Sequence, residues 1–205
     1  MNEIHKNIDR YYTEIIKTHG STPLGVGWNG EESQLLRFKQ LSKIINKDNF
    51  SIADIGCGYG KYYDFLSNNF QDFNYKGYDL SKEMIKNATS LYTDDKADFL
   101  VVDNLSEILI SDYCIASGIF NVSMEFKEKW MPHILETLIE INQKSVKGFS
   151  FNMLTKYSDK DLMLDNLYYA DPLFFFDYCK KNFSKNICLL HDYDLYEFTI
   201  LVNKH

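Results

Sequence analysis

The sequence predicts an α/β domain with a seven-stranded, mostly parallel sheet and helices on both of its faces. From residue 50 onward, short apolar segments alternate with amphipathic helical segments, which is typical of a parallel sheet. The last two apolar segments are joined by the tetrapeptide DYDL, which is too short for a parallel crossover, so they form an antiparallel hairpin. The 205 residues correspond to one domain.

Residues 1–49 precede this alternation, and we expect them to form a helical cap on a core of residues 50–205. Apolar residues recur at three- and four-residue spacing in 1–19, which predicts a helix. The segment 19–30 contains four glycines and a proline and is predicted to be a loop. A second amphipathic helix is predicted from residue 31 to about residue 45.

Each predicted strand of the core is a short apolar segment bounded by polar or glycine-rich residues. The seven strands span residues 51–55, 73–80, 97–103, 112–118, 146–154, 186–191 and 196–203. Helices are predicted between them. Ser81 is suited to begin one helix, and the pair Asp171-Pro172 another. The longest irregular stretch, near 155–170, is the candidate for a lid.

Composition excludes several classes of function. The net charge is −7, from 22 basic and 29 acidic side chains, which disfavours nucleic acid as a partner. The four cysteines form no Cys-x-x-Cys pair, so we expect no metal site. No apolar run approaches 18 residues and the segment MNEIHKNIDR is polar, so we expect a cytoplasmic protein without a membrane span. A homodimer is left open.

The most specific motif is the segment DIGCGYG at residues 54–60, between a predicted strand and a predicted helix. Its glycines follow the pattern G-x-G-x-G rather than the G-x-G-x-x-G of dinucleotide-binding turns. Asp54 stands two residues before the first glycine, where it would repel a pyrophosphate and attract a cationic ligand. The alternative is that the glycines only make a tight turn.

Two further acids end the following strands. Asp79 ends the second predicted strand, where a carboxylate can bind both hydroxyls of a ribose. Asp103 ends the third. Either alone could be an ordinary strand-end or helix-capping residue, but three acids on consecutive strand ends favour a ligand site.

The segments ADIGCGYG, GYDLSKEMI, VVDNL and YCIASGIFN resemble, in order and spacing, the motifs of class I S-adenosylmethionine-dependent methyltransferases. The resemblance covers roughly residues 50–203. The chain is also similar to a bacterial subgroup called trans-aconitate-methyltransferase-like, through GWNGEESQLLRF, FNML and the HDY and YEFT segments. The resemblance implies a Rossmann-like fold, S-adenosylmethionine as cofactor and S-adenosylhomocysteine as product.

The resemblance also implies which residues hold the cofactor. Asp54 and the glycine turn would hold its methionine end, and Asp79 its ribose. Asp103 would accept a hydrogen bond from the adenine amino group, and Ser117 and Gly118 would border the transferable methyl. The full set of expected cofactor residues is Asp54, Gly56, Cys57, Gly58, Gly60, Asp79, Leu80, Met84, Asp103, Asn104, Leu105, Ser117 and Gly118.

Candidate acceptor-binding residues lie in the cap and at later strand ends: Trp28, Arg37, Phe120 and Asn152. Arg37 would bind an anionic group of the cofactor or the acceptor; the alternative is a surface or capping arginine.

His191 ends the sixth predicted strand and is the candidate general base; the alternative is a structural histidine before a hairpin.

We therefore expect methyl transfer to a small molecule by in-line displacement, with catalysis mostly by positioning and desolvation. The expected acceptor is an oxygen of a carboxylate, hydroxyl or phosphate-like group, and only a hydroxyl would need a base. Two alternatives stay open. One is a nicotinamide-dependent oxidoreductase or epimerase, which would need the other glycine spacing. The other is a non-catalytic cofactor-binding protein on the same fold.

Overall fold

The structure, a computed structural model, describes residues 2–204, so Met1 and His205 of the predicted domain lie outside the described residues. The predicted fold class is confirmed: seven strands form one sheet in the order β3-β2-β1-β4-β5-β7-β6. All neighbouring pairs are parallel except β5 with β7 and β6 with β7. The strands are β1 (Phe50–Ile55), β2 (Phe73–Asp79), β3 (Ala97–Val101), β4 (Ser111–Ala116), β5 (Ser145–Leu154), β6 (Asn186–Leu190) and β7 (Glu197–Asn203).

Six α-helices are present in the described part of the chain, and several begin where the sequence indicates. The Ser81 hydroxyl accepts the Met84 N–H at 3.4 Å, and the Asp171 carboxylate accepts the Leu173 N–H at 3.0 Å, so both residues are N-caps. The helices are α1 (Glu3–His19), α2 (Glu31–Leu41), α3 (Lys61–Asn69), α4 (Lys82–Leu91), α5 (Lys127–Lys144) and α6 (Pro172–Asn182). None of them is long and apolar enough to cross a membrane.

The sheet separates two apolar cores. Along β4, Tyr113 and Ile115 face a core shared with α2 and α3, and Cys114 and Ala116 face one shared with α5 and α6. This alternation is the two-residue period of a strand covered on both faces. Trp130 of α5 is fully buried and donates through Nε1 to the Phe120 carbonyl at 2.9 Å. The loop after β4 is thereby fixed at the carboxyl edge of the sheet.

The order of the strands reverses between β1 and β4. After β1 the chain adds strands towards one side of the sheet (β2 and β3), and from β4 onward it adds them towards the other side. Ligands of open α/β sheets bind in the crevice outside the carboxyl ends of the strands at this point. The turn after β1 and the turn after β4 both lie there.

Some element bounds differ from the predictions. Helix α2 ends at Leu41, and a separate 3₁₀ turn spans Ser42–Ile44, so the predicted helix to residue 45 is too long. Strand β4 ends at Ala116, which places Ser117 and Gly118 in the turn after the strand. The predicted loop 19–30 contains a 3₁₀ turn, Pro23–Val26, closed by Gly27.

Candidate active site

A cavity of about 990 Å³ lies at the carboxyl edge of the sheet, between the strand ends and the N-terminal segments. Small-molecule sites usually measure about 300–1,000 Å³. This cavity therefore lies at the upper end of that range.

The glycine turn lies against the end of β2. The backbone N–H groups of Gly56 and Cys57 both donate to the Tyr78 carbonyl, at 2.8 and 3.1 Å. Gly56, Gly58 and Gly60 all have positive φ, between 55° and 85°, which non-glycine residues adopt at a cost. All three glycines are thus required by the backbone path, as the motif predicted.

The Asp79 carboxylate is fixed by two backbone donors. Its Oδ2 accepts the Gly58 N–H and its Oδ1 the Ser81 N–H, both at 2.9 Å. Burial raises the pKa of Asp79 to about 6, and these two hydrogen bonds work against the rise. Each oxygen can accept a further hydrogen bond, so the group can bind two hydroxyls of one ligand.

Asp54 is the second carboxylate of the cavity wall, and it is more deeply buried than Asp79. It is 2% exposed, and its Oδ2 accepts a hydrogen bond from the Tyr75 hydroxyl at 2.6 Å. Burial raises the pKa of Asp54 to about 7, with a smaller contribution from the neighbouring charge of Asp79. A buried carboxylate next to a partly buried one is suited to a cationic ligand.

The N-terminal segment covers the turns after β1 and β4. Val26 lies over Gly58, where an added Cβ would stand 2.8 Å from Val26 Cγ1. Trp28 lies over Gly118 in the same way, and the corresponding distance to Trp28 Cζ2 is 2.4 Å. Only glycines permit these close contacts. The cap therefore forms part of the wall of the cavity.

Arg37 of α2 forms a buried ion pair with Glu197, the first residue of β7. Arg37 Nε donates to Glu197 Oε2 at 2.8 Å, and the side chains are 10% and 1% exposed. The Arg37 guanidinium also stacks on the Trp28 ring, with 4.0 Å from Cζ to the ring centroid. Asn152 of β5 donates to the same Oε2 at 2.6 Å and accepts the Gly118 N–H through Oδ1 at 2.7 Å.

Three buried polar atoms of cavity-lining residues have no hydrogen-bond partner among the described residues. They are Ser117 Oγ, Arg37 Nη1 and Glu197 Oε1. An unpaired buried polar atom is unfavourable, so such atoms mark places where a ligand would complete the hydrogen bonding.

The structure brings most of the predicted site residues to this cavity. Those that line it are Asp54, Gly56, Cys57, Gly58, Asp79, Leu80, Met84, Asp103, Asn104, Leu105, Ser117, Gly118, Trp28, Arg37 and Phe120. Gly60 and Asn152 do not line it. Gly60 shapes the turn, and Asn152 is fully buried behind Gly118, so its predicted contact with the acceptor is replaced by a supporting role.

The predicted general base is not at the cavity. His191 is exposed and follows β6, the outermost strand of the sheet, with its ring near Tyr157 and Phe198. Two positions in the sheet order separate β6 from β5. His191 does lie at the edge formed by the carboxyl ends of the parallel strands, as predicted. It is too far along that edge from β1 and β4 to reach the cavity.

Cys57 lines the cavity as a protonated thiol, because burial raises its pKa well above the ordinary value. Within residues 2–204, no group of three or more His, Cys, Asp or Glu side chains is arranged to hold a metal ion.

Glu197 is the site residue that sequence reasoning missed. One signal was available: an acid at the start of the otherwise apolar strand EFTILVN. Its partner Arg37 is 160 positions away in the chain, so the pairing could not be predicted from local sequence.

Comparison with known proteins assigns the chain to a family. The sequence profile described as "Methyltransferase domain" matches residues 52–141. The Mycobacterium tuberculosis protein named "Putative methyltransferase Rv1506c" is 47% identical to this chain over 165 residues, which cover 79% of this chain and 98% of that protein.

Solved methyltransferases share the fold at low sequence identity. Magnesium protoporphyrin IX methyltransferase from Synechocystis PCC 6803, crystallised with bound S-adenosylmethionine, is 13% identical and has a TM-score of 0.67 over 100% of this chain and 99% of its own. Human N-acetylserotonin methyltransferase, in complex with S-adenosylmethionine, is 12% identical and has a TM-score of 0.68 over 99% of this chain and 59% of its own. By its relative of 47% identity the chain belongs to the methyltransferases, and its fold is that of solved S-adenosylmethionine-dependent methyltransferases.

Proposed function

We propose that the cavity binds S-adenosylmethionine and that the enzyme transfers its methyl group to an oxygen of a small-molecule acceptor. The observation that carries this proposal is the pair of carboxylates on either side of the glycine turn in one cavity, the buried Asp54 and the partly buried Asp79. Asp54 would face the ammonium end of the cofactor and Asp79 its ribose hydroxyls. When bound, the cofactor supplies an electrophilic methyl group on a positively charged sulfur.

The remaining cofactor contacts are assigned by position. Leu80 and Met84 would pack on the ribose and adenine, and Asp103 would accept from the adenine amino group, with Asn104 and Leu105 alongside. Cys57 and the backbone of Gly56 and Gly58 would lie along the methionine portion. Ser117 and Gly118, in the turn after β4, would border the reacting methyl. The unpaired Ser117 Oγ supports a ligand at that point.

The protein's own contribution is positioning and exclusion of water. A cap that contacts Gly58 and Gly118 shields the interior of the cavity, and burial strengthens every electrostatic contact within it. Asp54 and Asp79 would be held ionised by a cationic ligand, because a nearby opposite charge lowers a carboxyl pKa.

A small-molecule acceptor is favoured by the room in the cavity and by the acidic net charge. Two structural neighbours are named for small-molecule substrates, magnesium protoporphyrin IX and N-acetylserotonin. Phe120, Trp28 and Arg37 would line the acceptor region. Membership of the trans-aconitate-methyltransferase-like subgroup, a homodimer and a cytoplasmic location stay predictions.

Calorimetric titration tests the proposal against the oxidoreductase alternative. We expect S-adenosylmethionine and S-adenosylhomocysteine to bind with dissociation constants in the micromolar range, and NAD⁺ to show no heat of binding. Asp79→Asn should weaken S-adenosylhomocysteine at least tenfold, because both ribose contacts lose an ionised acceptor.

The control is Asp98→Asn. Asp98 lies on the outer strand β3, and its exposed carboxylate pairs with Lys76 of the neighbouring strand β2. This substitution should leave the affinity unchanged. Binding of NAD⁺ in place of the two sulfur nucleosides would contradict the proposal, and so would equal effects of the two substitutions.

A further inference from the structure

Glu197 and Arg37 line the cavity, and each has one buried polar atom that lacks a hydrogen-bond partner. Glu197 Oε1 and Arg37 Nη1 are buried and have no hydrogen-bond partner within residues 2–204, although the other atoms of the pair are tightly engaged. We propose that this pair receives a neutral hydroxyl group of an apolar acceptor, and that Glu197 Oε1 takes the hydroxyl proton during methyl transfer. This inference rests on the proposed function and narrows its acceptor class.

Glu197 is held so that one specific oxygen is free. Its Oε2 accepts from Arg37 Nε at 2.8 Å and from Asn152 Nδ2 at 2.6 Å. These two donors fix Oε2 and leave Oε1 without a partner among the described residues, on a cavity-lining side chain that is 1% exposed.

The same network links Glu197 to the region of the transferable methyl. Asn152 Oδ1 accepts the N–H of Gly118 at 2.7 Å, and Trp28 lies against both Gly118 and the Arg37 guanidinium. Asn152 therefore connects the Glu197 carboxylate to the turn after β4 through two hydrogen bonds. The proposed function assigns the reacting methyl to this turn, at Ser117 and Gly118, so a base at Glu197 is linked to the reaction site.

Charge selects a hydroxyl over an anionic acceptor. The guanidinium of Arg37 is already neutralised by Glu197, so the pair offers no net positive charge to a carboxylate or a phosphate. A second anion would lie against Glu197 Oε1 and be repelled. A hydroxyl both donates and accepts, so it can donate to Oε1 and accept from Nη1, and it keeps a lone pair for attack.

The mouth of the cavity indicates what carries the hydroxyl. Leu162, Leu164 and Tyr196 line the cavity and are 59%, 59% and 45% exposed. Exposed apolar side chains grouped at a ligand site favour an apolar ligand body. The lid region predicted near residues 155–170 supplies two of these three residues.

The step is balanced with one base. The hydroxyl oxygen forms the new O–CH₃ bond while the S–CH₃ bond breaks, and the electron pair of that bond stays on the sulfur. The proton of the hydroxyl passes to Glu197 Oε1. The products are a methyl ether, S-adenosylhomocysteine and a protonated Glu197, which then releases its proton to solvent.

The test uses three probes with one apolar body: 2-naphthol, 2-naphthoate and 2-naphthyl phosphate. Each is titrated into the protein saturated with S-adenosylhomocysteine, so that no turnover is needed. We expect naphthol to bind at least tenfold more tightly than either anion. Glu197→Gln should weaken naphthol at least tenfold and strengthen naphthoate, because Arg37 is no longer neutralised. Glu32→Gln, an exposed carboxylate on α2, should change neither affinity.

Several results would overturn the inference. They are an anion that binds the wild-type complex as tightly as naphthol, no naphthol binding up to millimolar concentration, and unchanged naphthol affinity in Glu197→Gln. The wild-type preference decides the matter even if the variant fails to fold. The proposed function fails separately, at the earlier step, if S-adenosylhomocysteine itself does not bind.

Discussion

Arg37 Nε donates to Glu197 Oε2 across 2.8 Å and so joins helix α2 of the cap to the first residue of β7. Because both side chains are buried, Arg37→Met should leave Glu197 as an unpaired buried charge. We expect the free energy of unfolding to fall by about 3–5 kcal/mol. Denaturant unfolding of wild type and variant, monitored by circular dichroism, measures this difference.

The matched control is Lys156→Met. Lys156 pairs with Asp171 at 2.7 Å, but both side chains are about 40% exposed, so water screens the pair and its loss should destabilise the protein much less. If the two substitutions destabilise the protein equally, the ion pair of Arg37 is not the buried contact described above.

The raised pKa values predict how stability depends on pH without ligand. Asp54 and Asp79 have folded-state pKa values of about 7 and about 6, above the ordinary value of 3.8. Between about pH 4 and pH 7 these two carboxyl groups bind more protons in the folded than in the unfolded state, so their contribution to stability falls as pH rises. Burial lowers the pKa of His133 to about 4, which acts in the opposite direction and leaves the two carboxyl groups as the larger effect. Thermal unfolding should show a lower midpoint at pH 7.5 than at pH 5.5. Asp54→Asn should reduce this difference, and a difference that is unchanged in Asp54→Asn would contradict the assignment.

Ligand affinity should depend on pH in the opposite direction. The ammonium group of the ligand would bind the ionised form of Asp54, so S-adenosylhomocysteine should bind more tightly as pH rises from 5.5 to 7.5. Titrations across this range in wild type and in Asp54→Asn make the comparison. Equal pH profiles in the two proteins would show that Asp54 does not face the ligand.

Gly118 should tolerate no side chain. Its φ is +74°, and an added Cβ would lie 2.4 Å from the Trp28 ring. We expect Gly118→Ala to destabilise the protein by more than the 1 kcal/mol or so that positive φ alone costs. Gly27→Ala isolates the backbone effect, because Gly27 has φ +77° and open space around its Cα. Equal losses of unfolding free energy in the two variants would mean that Trp28 does not pack on Gly118.

His191 should be dispensable for the reaction. It is exposed and lies outside the cavity, so His191→Ala should leave the affinity for S-adenosylhomocysteine and the rate of methyl transfer within about twofold of wild type. Labelled-methyl transfer to any acceptor found by screening measures the rate. A large loss of activity would restore His191 as the candidate base.

The parts of the site that could be predicted are those encoded in short segments. The glycine turn and Asp79 follow from strand ends and glycine spacing, and Gly58 does bond to Asp79. Contacts between distant segments could not be predicted. Glu197 becomes a site residue only because β7 inserts between β5 and β6, and the same insertion moves His191 away from the cavity.

A crystal structure with S-adenosylhomocysteine would show directly whether the cavity is the cofactor site. We expect the nucleoside in the cavity, with Asp79 bonded to both ribose hydroxyls and Asp54 beside the amino group. The sulfur should face the turn at Ser117 and Gly118. A ligand bound elsewhere on the protein, or in this cavity with its ribose away from Asp79, would contradict the proposed function.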